Sequence, residues 1–170
     1  ELALEEKLPP AMQWICTGEP LPADLPPYFE QKLSTASLST LYHCVEGGNL
    51  SYQAIDKTTL ANASVLGSPL ANVRVYILDV FGEPCSTGVL GEVFIAGDTL
   101  VTDMSTLNTS EAVDPASGLS VSDPFYGQSD QRMLATGDLA CWLPNGTIQY
   151  KGRKAQLPSL TGSLIDFTQI

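Results

Sequence analysis

Among the side chains that could meet a polar ligand are those of Thr136-Gly137-Asp138-Leu139, followed by Trp142-Leu143-Pro144-Asn145-Gly146-Thr147 and Gly152-Arg153. Asp138 brings a carboxylate with two acceptor oxygens, and Arg153 brings a rigid, permanently charged fork of donors. Each also has a plainer reading. Asp138 after Gly137 suits a turn, and Arg153 between Lys151 and Lys154 suits a solvated surface cation. Upstream, Tyr42-His43-Cys44-Val45-Glu46 places a phenol and a carboxylate before Gly47-Gly48, where Glu46 equally fits a solvated loop. His43 is the only histidine, and no recognisable nucleophile pattern surrounds it. Cysteines stand at 16, 44, 85 and 141 with no Cys-x-x-Cys pair, so no metal site is expected. No residue is assigned a catalytic role on these grounds.

The elements that must position these groups fall into two textures. Met12 to Cys16 is a short apolar run entering Thr17-Gly18-Glu19-Pro20, the pattern of a buried strand ending in a loop. Asp24 to Leu33 reads as a short helix, with Asp24 and Pro26-Pro27 at its start and Lys32 late. Leu38 to Cys44 is a second strand, stopped at Glu46-Gly47-Gly48, so strand, helix and strand suggest one parallel crossover. From Val73 onward, Val73–Val80, Gly91–Ala96, Leu139–Leu143 and Thr147–Tyr150 are β-rich runs. The clearest turns between them are Phe81-Gly82-Glu83-Pro84 and Pro144-Asn145-Gly146. Ser105 to Arg132 is polar and reads as a long surface loop with a helical turn. Glu1 to Lys7 reads as the end of a helix, and Ala155 to Ile170 has no strong period and needs a partner surface to order.

The expected fold class is α/β: a partial parallel sheet with one or two helices, followed by a small distorted antiparallel barrel. The chain reads as a single domain over 1–170, divided at about 1–66, 67–153 and a tail at 154–170. A chain of this length can bury ~70% of its unfolded surface, so a core needs no disulfides or metals. Hydrophobic residues make up 44% and charged residues only 16%, which hints at faces normally covered by neighbours. Nineteen acidic residues against eight basic ones give a net charge of −11. A basic footprint for nucleic acid or an anionic membrane is missing, and neither partner is expected. Without a signal peptide or an apolar run near ~20 residues, the expectation is cytoplasmic, with reduced thiols. The four sequons at Asn49, Asn62, Asn108 and Asn145 then read as chance.

In order and spacing, these motifs resemble the adenylation domains of nonribosomal peptide synthetases, within the adenylate-forming enzymes. Trp14 to Pro22 is similar to the family's strand-to-loop segment, with Thr17 replacing a glycine. Tyr42 and Glu46 match the ends of the family's Tyr-Gly-Pro-Thr-Glu, while His43, Cys44 and Val45 do not. Gly67-Ser68-Pro69-Leu70-Ala71-Asn72 resembles Gly-x-Pro-x-x-Asn, and Gly91-Glu92-Val93-Phe94-Ile95-Ala96-Gly97 resembles Gly-Glu-Leu-x-Ile-x-Gly. Leu134-Ala135 stands in place of a Tyr-Arg pair before Thr136-Gly137-Asp138-Leu139. The hinge motif begins at Gly152-Arg153, with Ala155 where an aspartate belongs and Ser159 and Thr161 where basic residues belong.

The resemblance implies that Asp138 accepts hydrogen bonds from ribose hydroxyls and that Arg153 offers charge near the nucleotide. It likewise implies that Glu46 is magnesium-associated and that Tyr42 belongs to the nucleotide site. The phosphate cradle and the catalytic lysine that the family uses are not found in this sequence. The expectation is therefore a truncated, non-catalytic remnant, not an enzyme as an isolated chain. It would act as a spacer or docking platform beside condensation and carrier domains of a synthetase. No cofactor is expected, with AMP or ATP–magnesium bound only if the site is residually functional. Two alternatives stand beside it: part of an active amino-acid-activating ligase, or an AMP-binding remnant without turnover.

Overall fold

A computed structural model describes residues 12–18, 21–22, 25–32, 36–44, 47–56, 64–98, 100, 120–127, 131–156, 159–160 and 163–164. The expected helix end at Glu1–Lys7, Val45, Glu46, Thr161 and most of the 155–170 tail lie outside them. The first half holds β1 (Gln13–Thr17), α1 (Leu25–Lys32), β2 (Ser37–Cys44), β3 (Gly48–Ile55) and β4 (Val65–Pro69). The second half holds β5 (Val73–Leu78), β6 (Gly91–Gly97), β7 (Ser120–Ser122), β8 (Arg132–Trp142) and β9 (Ile148–Arg153). A 3-10 turn at Lys154–Gln156 and a two-strand ribbon, β10 (Ser159–Leu160) with β11 (Ser163–Leu164), follow.

Nine strands join in one sheet in the order β1-β2-β3-β4-β9-β8-β6-β5, with β7 added to β8. Among the described residues only β1 and β2 run parallel, from Gln13↔Ser37 to Thr17↔Leu41, and α1 makes the crossover between them. Parallel neighbours need such a connection, whereas the later strands are joined by antiparallel ladders. Phe29 of α1 is buried with Leu21 and Leu38, and its ring meets Trp14 edge-on at 6.1 Å. The α/β expectation holds. The antiparallel half differs in one respect: the ladders form an open path from β4 to β5, so no closed barrel forms among the described residues.

Strand β4 is the seam between the halves. Its Val65 and Gly67 pair with β9, and its Ser68 and Pro69 pair with β3. Gly67 has φ +85°, and a Cβ there would overlap the Tyr52 carbonyl of β3. Only glycine combines that backbone conformation with so close an approach. Across the seam the sheet wraps one core of Leu50, Val73, Ile77, Val93, Ile95, Leu134, Ala140 and Ile148. Tyr42 and Cys44 of β2 pack against the same core. The end of β2 is thereby carried toward β8, although three strands lie between them in the sheet.

The segment expected as one surface loop, 105–132, is corrected where it is described. Ser120–Ser122 is a strand on β8, and Asp123 is buried. Arg74 on β5 bonds Asp123 Oδ2 at 3.4 Å and Gln131 at 3.2 Å, and the Tyr76 hydroxyl donates to the same Asp123 oxygen at 3.2 Å. The Asp123 side chain is fully buried, so those donors replace water around its charge. Arg74 also stacks on the Tyr126 ring at 3.6 Å, which ties the turn after β7 to β5.

Candidate nucleotide site

Strand β8 bends where the ligand-capable residues sit. Its ladder to β6 pairs Ala135 with Phe94 and then Leu139 with Glu92, leaving Thr136, Gly137 and Asp138 opposite Val93 alone. Such a bulge breaks the ladder and needs substitute hydrogen bonds. Thr136 supplies them: its hydroxyl donates to the Val93 carbonyl at 2.9 Å and accepts from the Asp138 N–H at 3.1 Å. A hydroxyl can do both at once, and Thr136 is buried, so no water competes. Gly137, at φ +75°, makes the left-handed step that turns Asp138. The three residues therefore fix the direction of one carboxylate, in keeping with the turn reading of Asp138.

Strand β9 returns through the Pro144–Gly146 turn, where the Gly146 N–H donates to Leu143 O at 2.9 Å and Asn145 caps Thr147. Asp138 faces Arg153 directly across this hairpin, and Leu139 faces Gly152, before a bulge that accommodates Lys151. The Arg153 guanidinium stands 3.9 Å from Asp138 Oδ1, with side-chain exposures of 41% and 10%. At that exposure the pair is weak as a fold stabiliser. It is better suited to presenting opposite charges at the edge of a site.

The third member arrives from 96 residues away along the chain: the Tyr42 hydroxyl donates to Asp138 Oδ2 at 2.5 Å. Burial first, then the charge of Asp138 and this bond, hold the Tyr42 phenol far above the ordinary tyrosine value. Tyr42 stays a neutral donor at any ordinary pH. Tyr150 is raised as well, by burial and by Asp138, with Arg153 opposing the shift. The β9 segment Tyr150, Lys151 and Gly152 lines, with Ser64, an open cavity of about 360 Å³. Tyr42, Asp138 and Arg153 do not line it.

Of the four residues expected at the site, the structure brings Asp138, Arg153 and Tyr42 together. Glu46 lies outside the described residues. His43 is exposed at the end of β2, beyond a bulge that separates it from Tyr42. Ala155 is exposed in the 3-10 turn, and Lys154 pairs with Glu92 at 2.8 Å. Thr136 and Tyr150 were not among the expected site residues. Thr136 opens the quoted Thr-Gly-Asp motif, and Tyr150 ends the quoted run Thr147–Tyr150 just before Gly152-Arg153. Among the described residues no three His, Cys, Asp or Glu side chains group to hold a metal ion.

The family model for AMP-binding enzyme matches residues 2–103. The chain belongs to the AMP-binding enzyme family. It is an adenylation-domain fragment of that adenylate-forming superfamily. Enterobactin synthase component F of Shigella flexneri is 32% identical over 163 residues, covering 93% of this chain and 12% of that protein. Indigoidine synthase of Dickeya dadantii is 37% identical over 106 residues, covering 62% of this chain and 7% of that protein. The chain thus spans a small part of the curated relatives it matches.

Among solved structures, PA1221, an NRPS protein containing adenylation and PCP domains, aligns with a TM-score of 0.71 at 20% identity. That alignment covers 92% of this chain and 31% of the other, and it supports the fold. Holo-AB3403, a four-domain nonribosomal peptide synthetase bound to AMP and glycine, aligns with a TM-score of 0.67 at 27% identity. It covers 91% of this chain and 11% of that chain. Membership of an AMP-binding enzyme family, with synthases among the relatives, overturns the expectation that the chain is not an enzyme. That expectation rested on the missing cradle and lysine together with Val45, Ala135 and Ala155, in a chain that spans only a small share of its relatives. No helix among the described residues is long and apolar enough to cross a membrane.

Proposed function

We propose that this chain supplies the ribose-holding face of an amino-acid-activating ligase domain, in which the amino acid's carboxylate attacks the ATP α-phosphate to give an aminoacyl adenylate and pyrophosphate leaves. The observation that carries the reading is Asp138, aimed by the Thr136–Asp138 bulge and set opposite Arg153. A carboxylate is a strong acceptor for sugar hydroxyls, and a buried one forms stronger bonds than a solvated one. Arg153 contributes positive charge on the exposed side, where a phosphate or its leaving group would be stabilised. Magnesium-associated Glu46, a phosphate cradle and a catalytic lysine complete the chemistry in this reading, the last two from other parts of the polypeptide. The working partners are condensation and carrier domains of the same synthetase. We place the protein in the cytoplasm, in keeping with four cysteines that form no disulfide.

Isothermal titration of the chain with AMP and with ATP–magnesium, alongside circular dichroism, tests the proposal. Saturable AMP binding is expected, weakened ~10- to 100-fold in Asp138→Ala with the fold retained, the loss of a charge-assisted hydrogen bond. A folded chain that gives no heat with either nucleotide would overturn it. That result would leave a docking platform for neighbouring domains as the second reading, which Ala135 and Ala155 favour by supplying no charge where the resemblance places it.

A further inference from the structure

Exposed large hydrophobic side chains gather on one connection, between β5 and β6. Val80, Phe81, Val89 and Leu90 all lie there, and Val80 and Phe81 are each 87% exposed. Single exposures scattered over a surface need no explanation, whereas neighbours at one tip do. The tip does not hold them outside through looseness. Asp79 Oδ1 accepts from the Phe81 N–H at 2.8 Å and from the Glu83 N–H at 3.0 Å. The Asp79 N–H donates to Glu83 O at 2.9 Å, and the Gly82 N–H donates to Asp79 O at 3.1 Å. Below the tip, the Cys85 N–H donates to Ile77 O at 2.8 Å and closes the hairpin. Charge is the second observation. From Val75 to Gln131 the sequence carries nine acidic residues and no lysine, arginine or histidine. Asp79 and Glu83 flank the apolar pair, and neither has an ion pair among the described residues. Lys154 reaches β6 but is committed to Glu92 at 2.8 Å.

From this rigid apolar tip in acidic surroundings, we propose that the β5–β6 hairpin docks another domain of the same polypeptide, one presenting an apolar pocket rimmed by lysine or arginine. The inference rests on the reading above that other parts of the polypeptide complete the ligase. Phe81 fills the pocket, Val80 covers its lip, and Asp79 and Glu83 meet the cations of the rim. A tip already fixed by its backbone bonds lowers the ordering cost of docking. Complementary charge sets the orientation and rejects wrong partners. A second copy of this chain does not fit, because a self-facing contact would set Asp79 and Glu83 against their own counterparts.

Photocrosslinking from position 81 in the full-length polypeptide tests the proposal. Phe81→4-benzoylphenylalanine puts the reactive group at the tip, and the irradiated protein is digested and mapped by mass spectrometry. One dominant product is expected, joining position 81 to an apolar segment outside this chain that carries lysine or arginine. Its yield is expected to fall ~5-fold or more between about 0.05 and 0.5 M salt, as screening weakens the rim contacts. Glu83→Lys keeps the backbone bonds of the turn and is expected to lower the yield by ~5-fold or more, since the rim then meets like charge. No product at low salt, a product within this chain or between two copies, or a joined segment without lysine or arginine would overturn the inference. A yield indifferent to salt, or to Glu83→Lys in a folded variant, would overturn it too. The salt series decides even where Glu83→Lys fails to fold. AMP titration of the same preparations separates the two readings: AMP binding without the product removes the docking alone, and the product without AMP binding removes the ribose reading alone.

Discussion

Thr136 bears more of the site than its small side chain suggests. Its hydroxyl joins the Val93 carbonyl to the Asp138 N–H, two backbone groups that the bulge would otherwise leave without ladder partners. Thr136→Val preserves shape and removes both bonds, leaving a buried acceptor and a buried donor unsatisfied. The expected loss is ~1–3 kcal/mol in urea unfolding, accompanied by weaker AMP binding because Asp138 loses its aim. A stability change below ~0.5 kcal/mol, the size of an ordinary surface substitution, would show that the hydroxyl is not the substitute partner. At this scale the sequence was informative but incomplete. Asp138, Arg153 and Tyr42 were visible as positions matching a known motif order. Nothing in residue type or spacing indicated that Tyr42 bonds Asp138 directly, because that contact depends on how the sheet wraps its core.

Among the elements, β4 decides how the two halves meet. It is five residues long and contains Gly67 and Pro69, residues that weaken a strand signal in the sequence. The structure uses it as the strand shared by the β3 and β9 ladders. Gly67→Ala would force a side chain against the Tyr52 carbonyl in a backbone conformation that alanine adopts poorly. The expected cost is about 1 kcal/mol or more, read as a lowered midpoint in thermal unfolding. An unchanged midpoint would mean that the crossing at β4 is looser than described. Strand β3 was missed for a related reason. Gly48, Asn49, Ser51 and Gln53 give it a loop-like composition, yet Ser51 is fully buried and its hydroxyl donates to Leu66 O at 2.7 Å. Polar residues satisfied inside a sheet defeat a reading based on hydrophobic alternation. Asp123 gives no local signal either, since its partner Arg74 lies 49 residues away. By contrast, the β1–α1–β2 crossover and the hairpin around Pro144–Gly146 were legible, because local turn chemistry and apolar runs specify them.

Taken as a whole molecule, the fold brings the end of β2, the bulge inside β8 and the end of β9 to one place. The sheet's curvature over a single core lets Tyr42, Asp138 and Arg153 converge from three strands. The satellite cluster around Trp14 and Phe29 belongs to the crossover unit and has no part in that convergence. A nucleotide held as proposed should therefore be felt locally. The most direct measurement is a two-dimensional amide NMR titration of the chain with AMP. The account predicts saturable shifts concentrated at Thr136–Leu139 and Tyr150–Arg153, with the indole signal of Trp14 unmoved. Absence of shifts at those two segments at saturating AMP, or shifts centred on the Trp14 cluster, would contradict it.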